Sequence, residues 1–268
     1  MTPAGALATV WLSVGGAVAG AAEPIAVHAA GSLRAPLTRI AQDFEDTGGG
    51  AKLTLTFGAS GLLRDRLLAG ERSDVFASAN MEHPQALVAA GKAARVQPFA
   101  RNTLCALSTP EFSLQGKTLA QRLLDADVKI GTSTPKADPS GDYAFEMFDR
   151  IESTGAAPPG SAARLKAKAL QLTGGPTSPP PPADRNVYAM QVSERHADVF
   201  ITYCSNAALA ALQAPTLRVL TIPPAINVSV LYGVAVVGSS AASAGRFVDF
   251  LLSPAGQERL ASFGFTSP

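Results

Sequence analysis

The sequence predicts an α/β fold of largely parallel strands joined by crossover helices. Three observations carry this expectation. Short apolar runs rich in β-branched and aromatic residues recur along the chain, segments of helical period separate them, and glycine- or serine-containing turns mark the changes. Strand–helix alternation of this kind is the pattern of parallel sheets covered by helices. The chain of 268 residues is 47% hydrophobic and 16% charged, with a net charge of +1. That balance fits a globular protein of one large domain or two modest ones and excludes a disordered chain.

The elements follow in order. PIAVHAAGS (24–32) reads as a buried strand. LRAPLTRIAQDFEDTGGG follows with Leu33, Leu37, Ile40, Ala41 and Phe44 at helical spacing; Pro36 is tolerated in the first turn and Gly48 supplies the stop. AKLTLTFGAS is a strand and GLLRDRLLAGER a helix, then SDVFASAN a strand and MEHPQALVAAGKA a short helix. NTLCALS begins another strand after VQPFAR. KTLAQRLLDAD is a helix, VKIGTS a strand, and GDYAFEMFDRIEST a helix. LTGGPTSPPPPADRN is a surface loop, because proline lacks the donor and fixes φ. The α/β pattern resumes beyond it with VYAMQVSERH as a helix and ADVFITYCS as a buried strand. INVSVLYGVAVVG is a long β run, and SAGRFVDFLLSPAGQERLASFGF closes the chain with two helices.

Residues 1–22 form a separate chemical unit. ALATVWLSVGGAVAGAA is uncharged and apolar and ends in small residues, as a secretory signal does, with cleavage expected near Ala21 or Ala22. A membrane anchor is the competing reading, but the run is short and broken by glycines. The mature chain is therefore expected to be exported and soluble. Its only cysteines are Cys105 and Cys204. In an exported chain they suggest one disulfide; in a reducing cytosol they would be free thiols. A bridge across so long a loop stabilises by at most about 4–5 kcal/mol on the chain-entropy model. His28, His83 and His196 lie far apart, without the spacing of a zinc site. The scattered Lys and Arg, usually beside Asp or Glu, argue against a nucleic-acid partner.

In α/β sheets ligands bind beyond the carboxyl ends of strands. The candidate turns are Gly31-Ser32, Gly58 to Gly61, Ser140-Gly141, Asn186-Val187 and Tyr203. A nucleophile elbow, G-x-S-x-G, would need glycine at position 62, which is Leu62; a hydrolase acting through Ser60 would also need a histidine base that nothing specifies. No dinucleotide fingerprint or P-loop is present. A lone serine at a helix start is commonly just an N-cap. Two such serines, Ser32 and Ser60, at equivalent turns of successive units suggest instead a cradle of hydroxyl and N–H donors, aided by helix dipoles, for an anion. Hydrogen bonds to a charged group contribute about 1.5–3 kcal/mol each, so five to seven of them reach submicromolar affinity without a cationic side chain.

HAAGSL, FGASGLLRDRLLAGERSDVFASAN, NVYAMQ, DVFITYCSNA, GVAVV and FVDFLLSPAGQERLASFGF resemble, collinearly, the landmarks of periplasmic molybdate-binding proteins, the solute receptors of molybdate ABC importers. The resemblance implies a two-lobe periplasmic-binding-protein fold of type II. Each lobe is a mostly parallel sheet flanked by helices, and two crossover strands join them. Lobe I would hold residues 23–103 and 229–268, and lobe II residues 104–228. Molybdate or tungstate would be held without cofactor or catalysis by Ser32 and Ser60, each through hydroxyl and N–H, and by Val187 through its N–H. Tyr203 would add its phenol, and Ser140 its N–H with or without its hydroxyl. A monomer delivering the ion to an inner-membrane permease is implied. Sulfate or a small organic anion is the alternative cargo. The chain departs from the family pattern in its longer proline-rich loop, in Asn206 where aspartate is common, and in Cys204 directly after the tyrosine. A Cys105–Cys204 bridge would brace the strand that carries Tyr203.

Overall fold

The structure, a computed structural model, describes residues 24–47, 51–180, 185–238 and 242–268. The leader expected over residues 1–22 and the helix stop expected at Gly48 lie outside the described residues. The first part of the chain runs through β1 (Ile25–Ala30), a 3-10 turn (Gly31–Leu33), α1 (Arg34–Asp46), β2 (Leu53–Gly58), α2 (Ser60–Leu68), β3 (Val75–Ser78) and α3 (Glu82–Ala89). The long β4 (Gln97–Ser108) leads into α4 (Leu119–Leu123), β5 (Ile130–Ser133), α5 (Pro139–Ser153), α6 (Ser161–Lys168) and β6 (Leu170–Thr173). Then come α7 (Val187–Ser193), β7 (Val199–Tyr203), α8 (Cys204–Gln213), β8 (Arg218–Thr221), β9 (Ser229–Val236), α9 (Ala242–Leu252) and α10 (Pro254–Ser262).

These strands form one mixed sheet in the order β2-β1-β3-β9-β4-β7-β5-β6, with β8 paired to β4. Parallel pairing holds within each flank, β2 and β3 on β1, β6 and β7 on β5. Every pair that involves β4 or β9 is antiparallel, so the expected parallel character stops at the centre. The reason is connectivity: these two strands run between the flanks rather than returning through a crossover helix. β4 pairs with β9 from Gln97 to Thr103, then with β7 and β8 from Leu104 onward. Where β9 gives out, the Asn227 side chain takes its place. Its Oδ1 accepts from Leu104 N–H at 3.1 Å and its Nδ2 donates to Leu104 C=O at 3.0 Å.

The core forms because each helix turns one apolar stripe to this sheet. α1 buries Leu37, Ile40, Ala41 and Phe44, and Phe44 meets Phe247 and Phe250 edge-on at 5.4 and 5.5 Å. α5 buries Ala144, Met147, Phe148 and Ile151. Three elements escaped the sequence pattern: α6, β6 and β8. The two strands are short and largely exposed, so neither shows the alternation that marks a half-buried strand.

Cys105 on β4 and Cys204 at the start of α8 are joined by a disulfide, with Cα atoms 4.7 Å apart. The bridge lies beside the β4–β7 pairing of Leu104 with Tyr203. Intact-mass analysis is expected to find two alkylatable thiols only after reduction. Reduction is expected to cost about 2–5 kcal/mol, lowering the melting temperature by about 5–15 °C for a chain of this size. Equal melting curves with and without reductant would contradict this.

Candidate functional site

Each of the five turns named from sequence ends a strand or opens a helix. Ser32 sits in the 3-10 turn after β1, and Ser60 opens α2 after β2. Ser140 lies in the first turn of α5, Val187 opens α7, and Tyr203 closes β7 just ahead of α8. Helices leave their first N–H groups without intrahelical partners. α2 and α8 begin without a side-chain cap, so their first N–H groups look to acceptors outside the helix. α5 and α7 are capped instead, by Asp138 and Asn186.

Several contacts draw these positions together. Ser32 Oγ lies 3.0 Å from the Tyr232 hydroxyl. The Tyr232 ring stands 5.6 Å from that of Tyr203, which in turn lies 6.5 Å from Tyr143 on α5. Gly61, next to Ser60, donates its N–H to the carbonyl of Ala137 at 2.8 Å, so α2 on one flank touches the loop ahead of α5 on the other. The approach needs glycine, because a Cβ there would fall 2.4 Å from the Lys136 carbonyl oxygen and 2.7 Å from that of Ala137. The same loop holds Lys136 at φ 68°, a conformation L-residues rarely adopt, and Asp142 Oδ1 fixes it by accepting from Lys136 N–H at 2.7 Å. Val187 is half-buried beside Asn186, on the helix α7 that packs against β7; among the described residues no hydrogen bond ties it to the other four.

The hydroxyls differ in their satisfaction. Ser60 Oγ accepts from Ala79 N–H at 3.1 Å, which leaves its own proton to donate. Ser140 gives its N–H to Asp138 Oδ1 at 3.0 Å, so its hydroxyl, not its amide, is the group free to bind. Ser140 Oγ and Tyr203 Oη are buried with no hydrogen-bond partner. Burial pushes the Tyr203 phenol well above its ordinary value, so it is a neutral donor at every physiological pH. An orphaned buried hydroxyl costs about 1–3 kcal/mol, which an incoming acceptor recovers.

Charged groups surround these dipoles without replacing them. Arg34 is exposed and stacks over Phe57, 4.8 Å from the ring centre. Burial raises the Asp138 carboxyl to about 6, against the pull of Ser140 N–H and the Ser133 hydroxyl. Each histidine has a partner of its own: His28 with Glu71 at 2.8 Å, His83 with Arg64 at 3.0 Å, His196 with Gln191 at 2.9 Å. None of these is a serine, and no group of acidic, cysteine or histidine side chains able to hold a metal occurs among the described residues. Among those residues no helix is long and apolar enough to cross a membrane. Tyr232, Asn102 and Asp138 belong to this region but were not singled out from sequence. The first two lie inside strands, whereas the Asp-Pro of DPSG is a readable helix-start signal.

Comparison with known proteins places this geometry in context. Residues 25–266 match the family of bacterial extracellular solute-binding proteins. A protein of Pasteurella multocida, described only as uncharacterized, is 36% identical over 245 residues, 89% of this chain and 97% of the relative. Among solved structures, the periplasmic molybdate-binding protein of Azotobacter vinelandii superposes with a TM-score of 0.69 at 19% identity, covering 91% of this chain and 99% of that one. The sulfate-binding protein SubI of Mycobacterium tuberculosis gives 0.74 at 18% identity, over 92% and 87%. At such identities the structural likeness speaks for the fold.

Asp138 yields a prediction. Its folded value lies above the ordinary carboxylate value, so the ionised form is disfavoured by folding and stability rises as pH falls from about 6 toward 4. Asp138→Asn keeps the Oδ1 cap. It is expected to add about 1–2 kcal/mol at pH 7, after discounting for partial exposure, and to remove that rise. Melting curves of both proteins from pH 4 to 7 check it.

Proposed function

The chain belongs to the bacterial extracellular solute-binding protein family, and on that premise we propose that it captures molybdate, and tungstate with it, in a cleft between two lobes and hands it to an ABC permease. The observation that carries this reading is the pair of buried, unpartnered hydroxyls of Ser140 and Tyr203 on one flank, set against Ser32 and Ser60 on the other. All four are neutral donors, and a fully deprotonated oxyanion offers only acceptors. The lobe division is proposed at residues 103/104 and 228/229, supported by the change of β4 partner at Leu104 and by the start of β9 at Ser229. Val187 would add its N–H from the start of α7.

Binding in this reading is capture by closure, with no chemistry performed. Donors come from both lobes, so the ion favours the state in which all its oxygens are satisfied. The Gly61–Ala137 hydrogen bond belongs to that state, because its two residues sit on opposite lobes. Sulfate is the alternative cargo, equally free of protons and supported by the likeness to a sulfate-binding protein. Discrimination between the two rests on cavity size. A hydrolase acting through Ser60 is disfavoured, since Ser60 Oγ is engaged by the Ala79 amide and each histidine is held elsewhere.

Titration calorimetry on ligand-free protein tests the reading. Micromolar or tighter molybdate binding with none for sulfate is expected, and silence towards molybdate would end it. Ser60→Ala and Tyr203→Phe are each expected to weaken affinity about tenfold to a hundredfold; unchanged affinity in both would mean the cleft is misassigned. Small-angle scattering is expected to show the wild type contracting on molybdate addition. Gly61→Ala should fail to contract, because its methyl group meets the Lys136 carbonyl. Equal contraction of the two proteins would remove Gly61 from the closure.

A further inference from the structure

Ser32 and Ser60 reach donor status by different routes. For Ser60 a backbone N–H occupies the hydroxyl oxygen, and a backbone N–H cannot reverse its role. Ser32 has instead the Tyr232 hydroxyl as partner, and two hydroxyls facing each other can donate in either direction. If Ser32 donated to Tyr232, it would present a lone pair to the ligand and repel an acceptor-only anion. Something must hold the direction.

Asn102 is placed to do so. It is buried on β4, and its Oδ1 accepts from Thr103 N–H at 2.9 Å, which fixes the amide orientation. Its Nδ2, a pure donor with two hydrogens, gives one to Ser205 Oγ at 2.8 Å. Asn102 and Tyr232 are buried diagonal neighbours on one face of the β4–β9 pair, where Asn102 pairs with Val230 and Ala100 with Tyr232. The Asn102 side chain pulls the Tyr232 phenol down against the effect of burial, as a donor to it does. Resting on the oxyanion reading above, we infer that Asn102 and Tyr232 are positioning residues that set the donor polarity of Ser32. The Asn102 amide donates to Tyr232 Oη, Tyr232 donates its single proton to Ser32 Oγ, and the Ser32 proton is left for the ligand.

The relay is one-way. Reversing it would set the Tyr232 proton against an N–H with no acceptor between them, in a region where Tyr232, Asn102 and Ser205 are all buried. The ligand class follows from this. An anion whose oxygens are all acceptors meets only donors at Ser32 and Ser60. An anion carrying its own proton, as phosphate does at neutral pH, would have to set that proton against one of them or find another acceptor. The Asp138 carboxylate already accepts from Ser140 N–H. The relay therefore acts on selectivity between proton-free and proton-bearing oxyanions, beyond its effect on affinity. Its path also crosses the molecule, from the turn after β1 through β9 and β4 to Ser205 on α8, two residues past Tyr203.

The test is calorimetry at pH 7 with molybdate, tungstate, sulfate and phosphate on the wild type, Tyr232→Phe and Asn102→Asp. Thermal melts verify that each variant is folded. Tyr232→Phe keeps the ring contacts with Phe99, Tyr203 and Phe265 and removes only the relay. Asn102→Asp turns the donor at the head of the relay into an acceptor; its added charge opposes all four anions, so the ratio is read rather than the absolute affinity. The wild type is expected to prefer its best proton-free anion over phosphate by at least about a hundredfold, and either variant to shrink that ratio about tenfold. A ratio unchanged within twofold in the folded variants overturns the relay alone, whatever happens to absolute affinity. Should one variant fail to fold, the other decides. Phosphate bound as tightly as the rest by the wild type overturns the relay and leaves oxyanion capture standing. Silence of the wild type towards all four anions overturns the oxyanion reading and the relay with it.

Discussion

The strand β4 pairs with both flanks of the molecule, and most of what surrounds the candidate site depends on where it changes partner. Up to Thr103 it belongs to β9, and from Leu104 it belongs to β7 and β8. A strand that leaves one neighbour for others exposes backbone groups at the switch, and buried groups of that kind must be satisfied. Asn227 does this from both sides of Leu104, and Arg150 donates to the Asn227 carbonyl at 2.6 Å. Cys105, the next residue of β4, is tied covalently to Cys204. Tyr203 and Asn102 both border this junction, which is why groups far apart in sequence can be aimed at one place.

Neutral donors, rather than cations, make up the candidate site, and the placement of charges around it is consistent with that. Arg34 lies over an aromatic ring at the surface, and Arg122 is spent on Asp125 and Asp127. A formal cation in the cleft would bind any anion of suitable charge, and salt would screen it. Fixed dipoles discriminate by the pattern of protons and lone pairs instead. Their cost falls at folding, as orphaned hydroxyls at Ser140 and Tyr203, and in the proposed receptor an incoming acceptor would recover it.

The flanks were legible in the sequence because local rules specify them. β1, β2 and β3 with α1, α2 and α3 follow from apolar runs, helical spacing and turn residues, and so do β5, β7, α5 and α10. What escaped was either short and exposed, as β6 and β8, or a property of assembly, as the antiparallel centre. The site divides along the same line. Ser32, Ser60, Ser140 and Tyr203 could be named because strand ends and helix starts announce themselves in sequence. Tyr232 sits mid-strand in VLYGVAVV, where its ring reads as core, and its partner Ser32 is 200 residues away. The use of the Ser140 amide by Asp138 was likewise invisible, because an N-cap and a ligand donor share one sequence signature.

The long-range polar chain gives the apolar centre a second function. A buried polar network is costly unless every member is satisfied, and a satisfied one specifies a unique arrangement. Ser205 accepts from Asn102 and Asn102 accepts from its neighbour's amide; in the proposed relay the second Asn102 N–H goes to Tyr232, which passes its one proton on to Ser32. Every member then has a partner except the last proton, that of Ser32. A hydrophobic substitution at Tyr232 or Asn102 would retain much of the packing but release the direction of that proton. In the proposed receptor, selectivity would therefore be encoded two hydrogen bonds behind the surface that touches the ion, where a serine hydroxyl has lost its freedom to choose between giving and accepting.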